Sequence, residues 1–424
     1  MVVSRGVLDA PAWPGSNWIV RVVPWVVLLV FGVAVGAWAQ DDGHAARARS
    51  LEVTATGATV RAAPSVHAPR RGTVRLGTRL PFEARVRGTG CPGGEWYRLA
   101  DESYLCESLV ALSSEEPSGD SLPIVAPGEL LPRPYAFVST DGTWAYSRPT
   151  DYFHEDFAES LGRGVGLAIV ERRTVTGVDF VRTLSGLWVP EDDIRFAHGS
   201  ELRGVDLTDG TLDLAWVLRE GAPIREWNGH RASSRVVRRA GLREVVHVRE
   251  VLPHGLLRLD EGVIAARDVA RPQLEAPPPE LVAAARWVDV SIASQTLVLY
   301  EGATPIFATL VSTGRPGAAH TTPIGTFHVW VKLAEDTMDD LEQVDQESNY
   351  AIEGVPWVQY FSEGIALHAA FWHDQFGHRH SHGCVNLAPR DARHLFEMTS
   401  PSLPAGWDAI LSTDAQPGTL VHVH

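Results

Sequence analysis

From residue 50 onward the chain is punctuated by glycine and proline, 38 Gly and 28 Pro in all, into short runs of β-branched and aromatic residues. Thr59-Val60-Arg61-Ala62-Ala63-Pro64 is followed by Val74-Arg75-Leu76-Gly77, then by Glu95-Trp96-Tyr97-Arg98-Leu99 and Ser103-Tyr104-Leu105-Cys106. Short apolar runs at close spacing between turn residues read as strands, and a cluster of them suggests a small barrel. Further on, Val288, Val290 and Ile292 alternate with Asp289 and Ser291, the period of a strand with two different faces. Thr296 to Tyr300, a Glu301-Gly302 turn and Ile306 to Val311 extend this into a hairpin meander. Thr326 to Val331 predicts one further strand. The acidic stretch 332–349 lacks apolar periodicity and reads as a long loop. Pro389 to Met398 predicts a helix, with proline in the first turn and Asp391 at its positive end. The fold class expected is therefore mainly β, with small β-barrel modules ahead of a C-terminal β domain with short helices.

A length of 424 residues fits about three domains or more. Residues 1–40 read as an export signal. Arg5 and Arg21 precede an uncharged run from Val22 to Trp38, and Ala37-Trp38-Ala39 matches a small-x-small cleavage site, so that a mature chain would begin at Gln40. Left uncleaved, the same run would be an anchor, the one route to a membrane contact. The first β module covers 50–112. A weak recurrence of its rhythm marks a second at 124–200 and a third at 211–271. Residues 113–123 and the proline-rich 272–285 read as linkers, and 286–424 as the C-terminal domain. The modules either hold a ligand or space the C-terminal domain from its surroundings, and no residue in them stands out as a site. The net charge of −15 argues against nucleic acid or an anionic membrane surface as partner.

Export changes the reading of the three cysteines. Cys91 and Cys106 share one module, and an oxidising compartment favours a disulfide between them, closing a loop of about 15 residues and contributing roughly 3 kcal/mol. Cys384 is the odd thiol. It stands in Ser381-His382-Gly383-Cys384-Val385-Asn386, with His368 upstream in Ile365-Ala366-Leu367-His368-Ala369-Ala370. A thiol becomes a strong nucleophile as a thiolate, which a neighbouring imidazole can generate. Gly383 permits a tight turn, and the amides of Gly383 and Cys384 could face a developing oxyanion.

This ordered set resembles the L,D-transpeptidase family, the YkuD-type catalytic domain. The family pattern is a histidine, a spacer, then Ser/Thr-His-Gly-Cys, an apolar residue and Asn or Arg. His368, the spacer 369–380, Ser381, His382, Gly383, Cys384, Val385 and Asn386 fill it in order. The resemblance covers roughly 286–424 and extends to Thr313-Gly314-Arg315-Pro316-Gly317, Thr322 to Phe327, and Val355 to Phe361. The first module is likewise similar to bacterial Src-homology-3-like domains. The resemblance implies a peptidoglycan enzyme of the cell envelope or periplasm, working by cysteine acyl transfer on stem peptides without metal or organic cofactor. Cys384 would attack the stem tetrapeptide, His368 would be the base, and the carbonyl of Ala369 would orient its ring. His382 would fix the loop or line the oxyanion side. Ser381, Gly383 and Asn386 would shape the turn. The helix following the motif would favour the thiolate through its dipole. Trp357, Tyr360, Phe361, Phe371 and Trp372 would wall the cleft. The acceptor would be an amine from another stem or from a wall-attached protein.

Other readings share these residues. His378, His380, His382 and Cys384 alternate, and on a strand they would present a zinc-like donor set; Gly383 and the family order argue against it. His373 and His378 read as solvent-facing, and His394 as structural. A hydrolase of the same fold, using water as acceptor, shares the acyl-enzyme, and a non-catalytic wall-binding protein would keep only the modules' role.

Overall fold

The computed structural model describes residues 48–282, 284–317, 320–339 and 351–424. The expected leader at 1–40 lies outside the described residues. No helix among those described is long and apolar enough to cross a membrane. Strands dominate, and the helix expected after the Cys384 motif is present as Pro389–Met398, labelled α1.

The N-terminal region is built of short antiparallel strands. Ser50–Val53 pairs with Arg79–Leu80 and Val110–Ser113, while Ala84–Arg87, Glu95–Arg98 and Tyr104–Cys106 form a meander. The disulfide joins Cys91 to Cys106 beside the buried Trp96. The expected barrels do not close. Arg70–Val74 pairs with Ala58–Arg61 on one edge, and its other edge pairs with Trp407–Leu411 from the far end of the chain. Gly72 makes this possible, since a Cβ there would lie 2.1 Å from the carbonyl oxygen of Ala409. Leu51, Val60, Val74 and Leu105 accordingly share one core with Trp407 and Ile410.

The same stitching recurs. Gly166–Val175 pairs with Tyr135–Val138 and, at Gly166, with Ile352. Val205–Asp206 pairs with Phe307 and Ala308. The two expected linkers are packed segments. Ser118 exchanges backbone hydrogen bonds with Arg79, and Leu122 is buried. The amide of Glu275 donates to Tyr300 Oη, and Leu281 packs against the cluster that holds Trp287.

Within 286–424 we number the strands β1 (Arg286–Ser291), β2 (Thr296–Glu301), β3 (Thr304–Leu310), β4 (Gly325–His328), β5 (Val331–Asp339), β6 (Ala351–Ser362), β7 (Ile365–Ala369), β8 (Val385–Leu387), β9 (Trp407–Leu411) and β10 (Leu420–Val423). The expected meander is β1–β2–β3, extended by β10, parallel to β1, and by β4 on the edge. A second sheet runs β9–β5–β6–β7–β8, with β7 and β8 parallel. Val288, Val290 and Leu299 of the first sheet, Leu367 and Val385 of the second, and Leu395 of α1 close one apolar core. Each such side chain contributes about 1.5–3 kcal/mol on burial.

The stretch expected as a loop over 332–349 is a strand through Asp339, and its remainder lies outside the described residues. The single strand expected over 326–331 is interrupted after His328. Hydropathy misreads β5 because partners distant in sequence satisfy its polar residues. Lys332 is buried, and its Nζ donates to the carbonyls of Phe396 and Thr399, capping the end of α1. Glu335 pairs with Arg133, and Tyr360 Oη donates to Asp336 at 2.7 Å.

Candidate active site

The parallel register of β7 and β8 sets the geometry. Leu367 lies opposite Val385 and His368 opposite Asn386, so Ala366 falls opposite Cys384. Residues two apart on a strand share a face. His368 and Cys384 therefore project from the same side of the sheet, one diagonal step apart. The turn that delivers Cys384 is pinned from several directions. Gly383 has φ 126°, in the left-handed region, and a Cβ there would meet Ile365 Cδ1 at 2.7 Å, so only glycine fits. Thr322 Oγ1 donates to the Gly383 carbonyl at 2.7 Å, and the Ser381 hydroxyl donates to the Cys384 carbonyl. His380 and Ser381 amides both donate to the Thr313 carbonyl, while the side chain of Gln295 brackets Thr313 through its amide and hydroxyl. Sequence reasoning passed over Gln295 as a hairpin residue. Its φ of 55° and its burial are visible only in the fold.

His368 is 2% exposed, and its Nδ1 lies 2.9 Å from the Ala369 carbonyl oxygen. A carbonyl accepts, so Nδ1 carries the hydrogen and Nε2 keeps the lone pair. The ring stacks on Trp372, centroids 5.7 Å apart. Burial pushes the imidazole down to about 4, only partly offset by the Ala369 hydrogen bond, so it is neutral at pH 7. The Cys384 thiol is pushed up to about 11 by burial, with the Ala366 amide pulling the other way. This desolvation opposes the helix dipole that was expected to favour the thiolate. Among the described residues, Sγ has its hydrogen-bond contacts with the Ala366 amide at 3.4 Å and the Gly364 carbonyl at 3.9 Å rather than with the imidazole. Catalytic hydrogen bonds are often loose before substrate enters.

A cavity of about 200 Å³ opens onto both groups. Trp372, Ser381, His382, Asn386 and Arg315 line it together with His368 and Cys384. His380, Met338 and Ile352, with Phe137 and Gly164 of the second module, complete the wall. No local sequence signal marks Phe137 or Gly164. Trp357, Tyr360, Phe361 and Phe371 are not part of this wall. Trp357 and Phe361 sit in the main core, Tyr360 turns to Asp336, and Phe371 stacks on Tyr135 at 3.9 Å. Trp357 has φ 56°, in the left-handed region. A larger cavity of about 680 Å³, lined by Arg219, Arg225, Arg239 and neighbours, contains no nucleophile.

The amide of Gly383 donates to Ser381 Oγ at 3.1 Å and is thereby committed, so it does not wait for an oxyanion. His373 is not solvent-facing. The Gln375 amide lies 3.2 Å from its Nδ1, and its Nε2 lies 2.9 Å from Asn386 Nδ2. Asn386 Oδ1, the other end of that side-chain amide, is buried without a partner. His380 packs on His373 and His382 on His320, and, although His380, His382 and Cys384 all line the cavity, they are not among the described residues whose donor atoms gather within 4.8 Å of one another. His378 is exposed, as expected.

The arrangement holds a neutral base with an aimed lone pair and a neutral thiol at one cavity. That can carry out acyl transfer through a thioester. No curated protein matches the chain. Among solved structures, the chain is similar to an Enterococcus faecium L,D-transpeptidase at 23% identity, with 33% of this chain and 49% of that one covered and a TM-score of 0.26. It is also similar to an L,D-transpeptidase from Stackebrandtia nassauensis at 27% identity, with 35% and 58% covered and a TM-score of 0.25. A third, from Mycobacterium smegmatis, is 16% identical, with 61% and 99% covered and a TM-score of 0.27. The chain thus spans about half the length of the first of these. The family model described as the L,D-transpeptidase catalytic domain matches residues 285–423. The C-terminal third of the chain is therefore a YkuD-type L,D-transpeptidase catalytic domain.

Proposed function

We propose that this protein is an exported peptidoglycan L,D-transpeptidase that joins a stem tetrapeptide to an amine through a thioester on Cys384. The observation that carries the reading is the pairing of β7 with β8, which sets the imidazole of His368 and the thiol of Cys384 on one face beside a cavity. The disulfide suits an oxidising compartment.

In this reading the donor peptide enters past Arg315 and Trp372 and displaces the thiol hydrogen from the Gly364 carbonyl. Nε2 of His368 takes that proton as Sγ bonds to the carbonyl carbon at the L-centre. The Ala369 carbonyl, already bound to Nδ1–H, steadies the imidazolium. The bond to the terminal D-alanine nitrogen breaks, and that nitrogen leaves with the proton from Nε2. An acceptor amine then attacks the thioester, returns a proton through His368 to sulfur, and the C–S bond breaks. With burial lowering the imidazole and raising the thiol, proton transfer and attack are coupled. Cys384 supplies the remaining turn amide for the oxyanion.

Incubating the purified protein with stem tetrapeptide and following the products by mass spectrometry tests the reading. A protein adduct short of one alanine, then a cross-linked dimer, is expected; Cys384→Ala forms neither, and a carbapenem acylates only the unmutated protein. Free tripeptide as sole product makes the enzyme a hydrolase of this fold, and labelling that survives in Cys384→Ala removes the assignment.

A further inference from the structure

The first sheet of the catalytic domain, which does not carry Cys384, brings a second set of chemically competent side chains together. Asp289 on β1 lies directly opposite His422 on the parallel strand β10. His424 follows two residues on, and its amide donates to the Val290 carbonyl while its own carbonyl accepts from Ile292, so it continues the same ladder. The His-x-His spacing therefore puts both imidazoles on the face of Asp289. Asp289 Oδ1 lies 3.2 Å from His422 Nδ1 and Oδ2 lies 3.3 Å from His424 Nε2. One ligand atom from each residue falls within 4.8 Å of the others. Ligands bonded to zinc at ~2.0–2.1 Å in a tetrahedron stand about 3.3 Å apart, which the two carboxylate–imidazole spacings match.

Burial separates this set from surface acids. Asp289 is 3% exposed, and its hydrogen-bond partners are the two imidazoles. A carboxylate removed from water needs compensating charge. The histidine side chains are 29% and 35% exposed, which leaves an entry path and room for water ligands. Two imidazoles and one carboxylate, with open positions, form a borderline donor set that suits Zn²⁺, Co²⁺ or Ni²⁺ rather than Ca²⁺ or Mg²⁺.

We propose that Asp289, His422 and His424 form a binding site for a divalent transition-metal ion of the Zn²⁺ class, clamping β10 to β1. Metal there would tie the last strand to the first strand of the catalytic domain at a point separate from the acyl-transfer chemistry.

Titration calorimetry with Zn²⁺ on the full chain, after chelator treatment, tests this. One equivalent is expected both in the unmutated protein and in Cys384→Ser, which removes the thiol as a competing ligand. His422→Ala, His424→Ala and Asp289→Asn should each weaken that equivalent by at least about tenfold. Absence of binding, retention at unchanged affinity in the His422→Ala, His424→Ala double variant, or loss in Cys384→Ser overturns the proposal. Because substitutions in β10 could unfold the sheet, the Co²⁺ spectrum of the unmutated protein is an independent reading. Visible bands without thiolate charge transfer support the site, and sulfur bands overturn it.

Discussion

Two parallel strand pairs carry chemistry in the catalytic domain, and they treat their polar groups in opposite ways. Between β7 and β8, His368 and Cys384 share a face, yet neither is charged at rest. Burial moves one below its ordinary value and the other above, and the imidazole's strongest tie is to its own neighbour's carbonyl. Between β1 and β10, Asp289 and two histidines on one face hydrogen-bond directly. The same backbone device sets two groups on one face without a direct hydrogen bond in one place and joins three directly in the other. What separates the two is how the chain enters the second strand. Cys384 arrives through a turn with Gly383 at φ 126°, whereas His422 and His424 lie in an unbroken ladder.

The largest break in this comparison is His368→Ala. On the proposed mechanism this should lower kcat/KM by about 10²–10⁴, with the fold unchanged by circular dichroism; a loss under tenfold would mean that another group takes the proton. Next is the pH profile. The imidazole serves as base only when unprotonated, and with its pKa lowered to about 4 activity should persist through pH 5 and fall only near pH 4. Alkylation of the free enzyme should be slow at neutral pH and accelerate toward about pH 11, where the thiol ionises. An acid limb near an ordinary histidine value, or rapid neutral alkylation, would show a preformed ion pair and erase the contrast. Gly383→Ala forces a left-handed residue and a contact at 2.7 Å, costing about 1–3 kcal/mol and displacing Cys384; denaturant midpoints and acylation rates should fall together. The smallest effect belongs to Asp289→Asn in metal-free protein. With its folded pKa raised above 3.8, the native state binds a proton there that the unfolded chain has already released, so stability declines as pH rises through that window. The variant should flatten this slope just above pH 4 relative to the unmutated protein, measured by denaturant unfolding.

The order of His368 and the Ser381–Asn386 motif, the β1–β2–β3 meander, α1 and the Cys91–Cys106 disulfide could all be read from local pattern. What escaped was set by tertiary partners. Lys332, Glu335 and Asp336 made β5 look like a loop because their partners Phe396, Arg133 and Tyr360 lie elsewhere in sequence. The aromatic residues expected around the cleft are taken up elsewhere, Trp357 and Phe361 in the core and Phe371 against Tyr135. Phe137 and Gly164 entered the cavity wall only because the second module's strands join the catalytic domain's sheet at Ile352.

The pairing of Arg70–Val74 with Trp407–Leu411 has a consequence for handling the protein. A version shortened to its catalytic third would bare the outer margin of β9 and strip cover from Trp407 and Ile410. An unpaired strand flanked by apolar side chains invites docking by other chains. Trimming upstream residues would thus turn a well-behaved protein into a self-associating one before any chemistry at the thiol was touched.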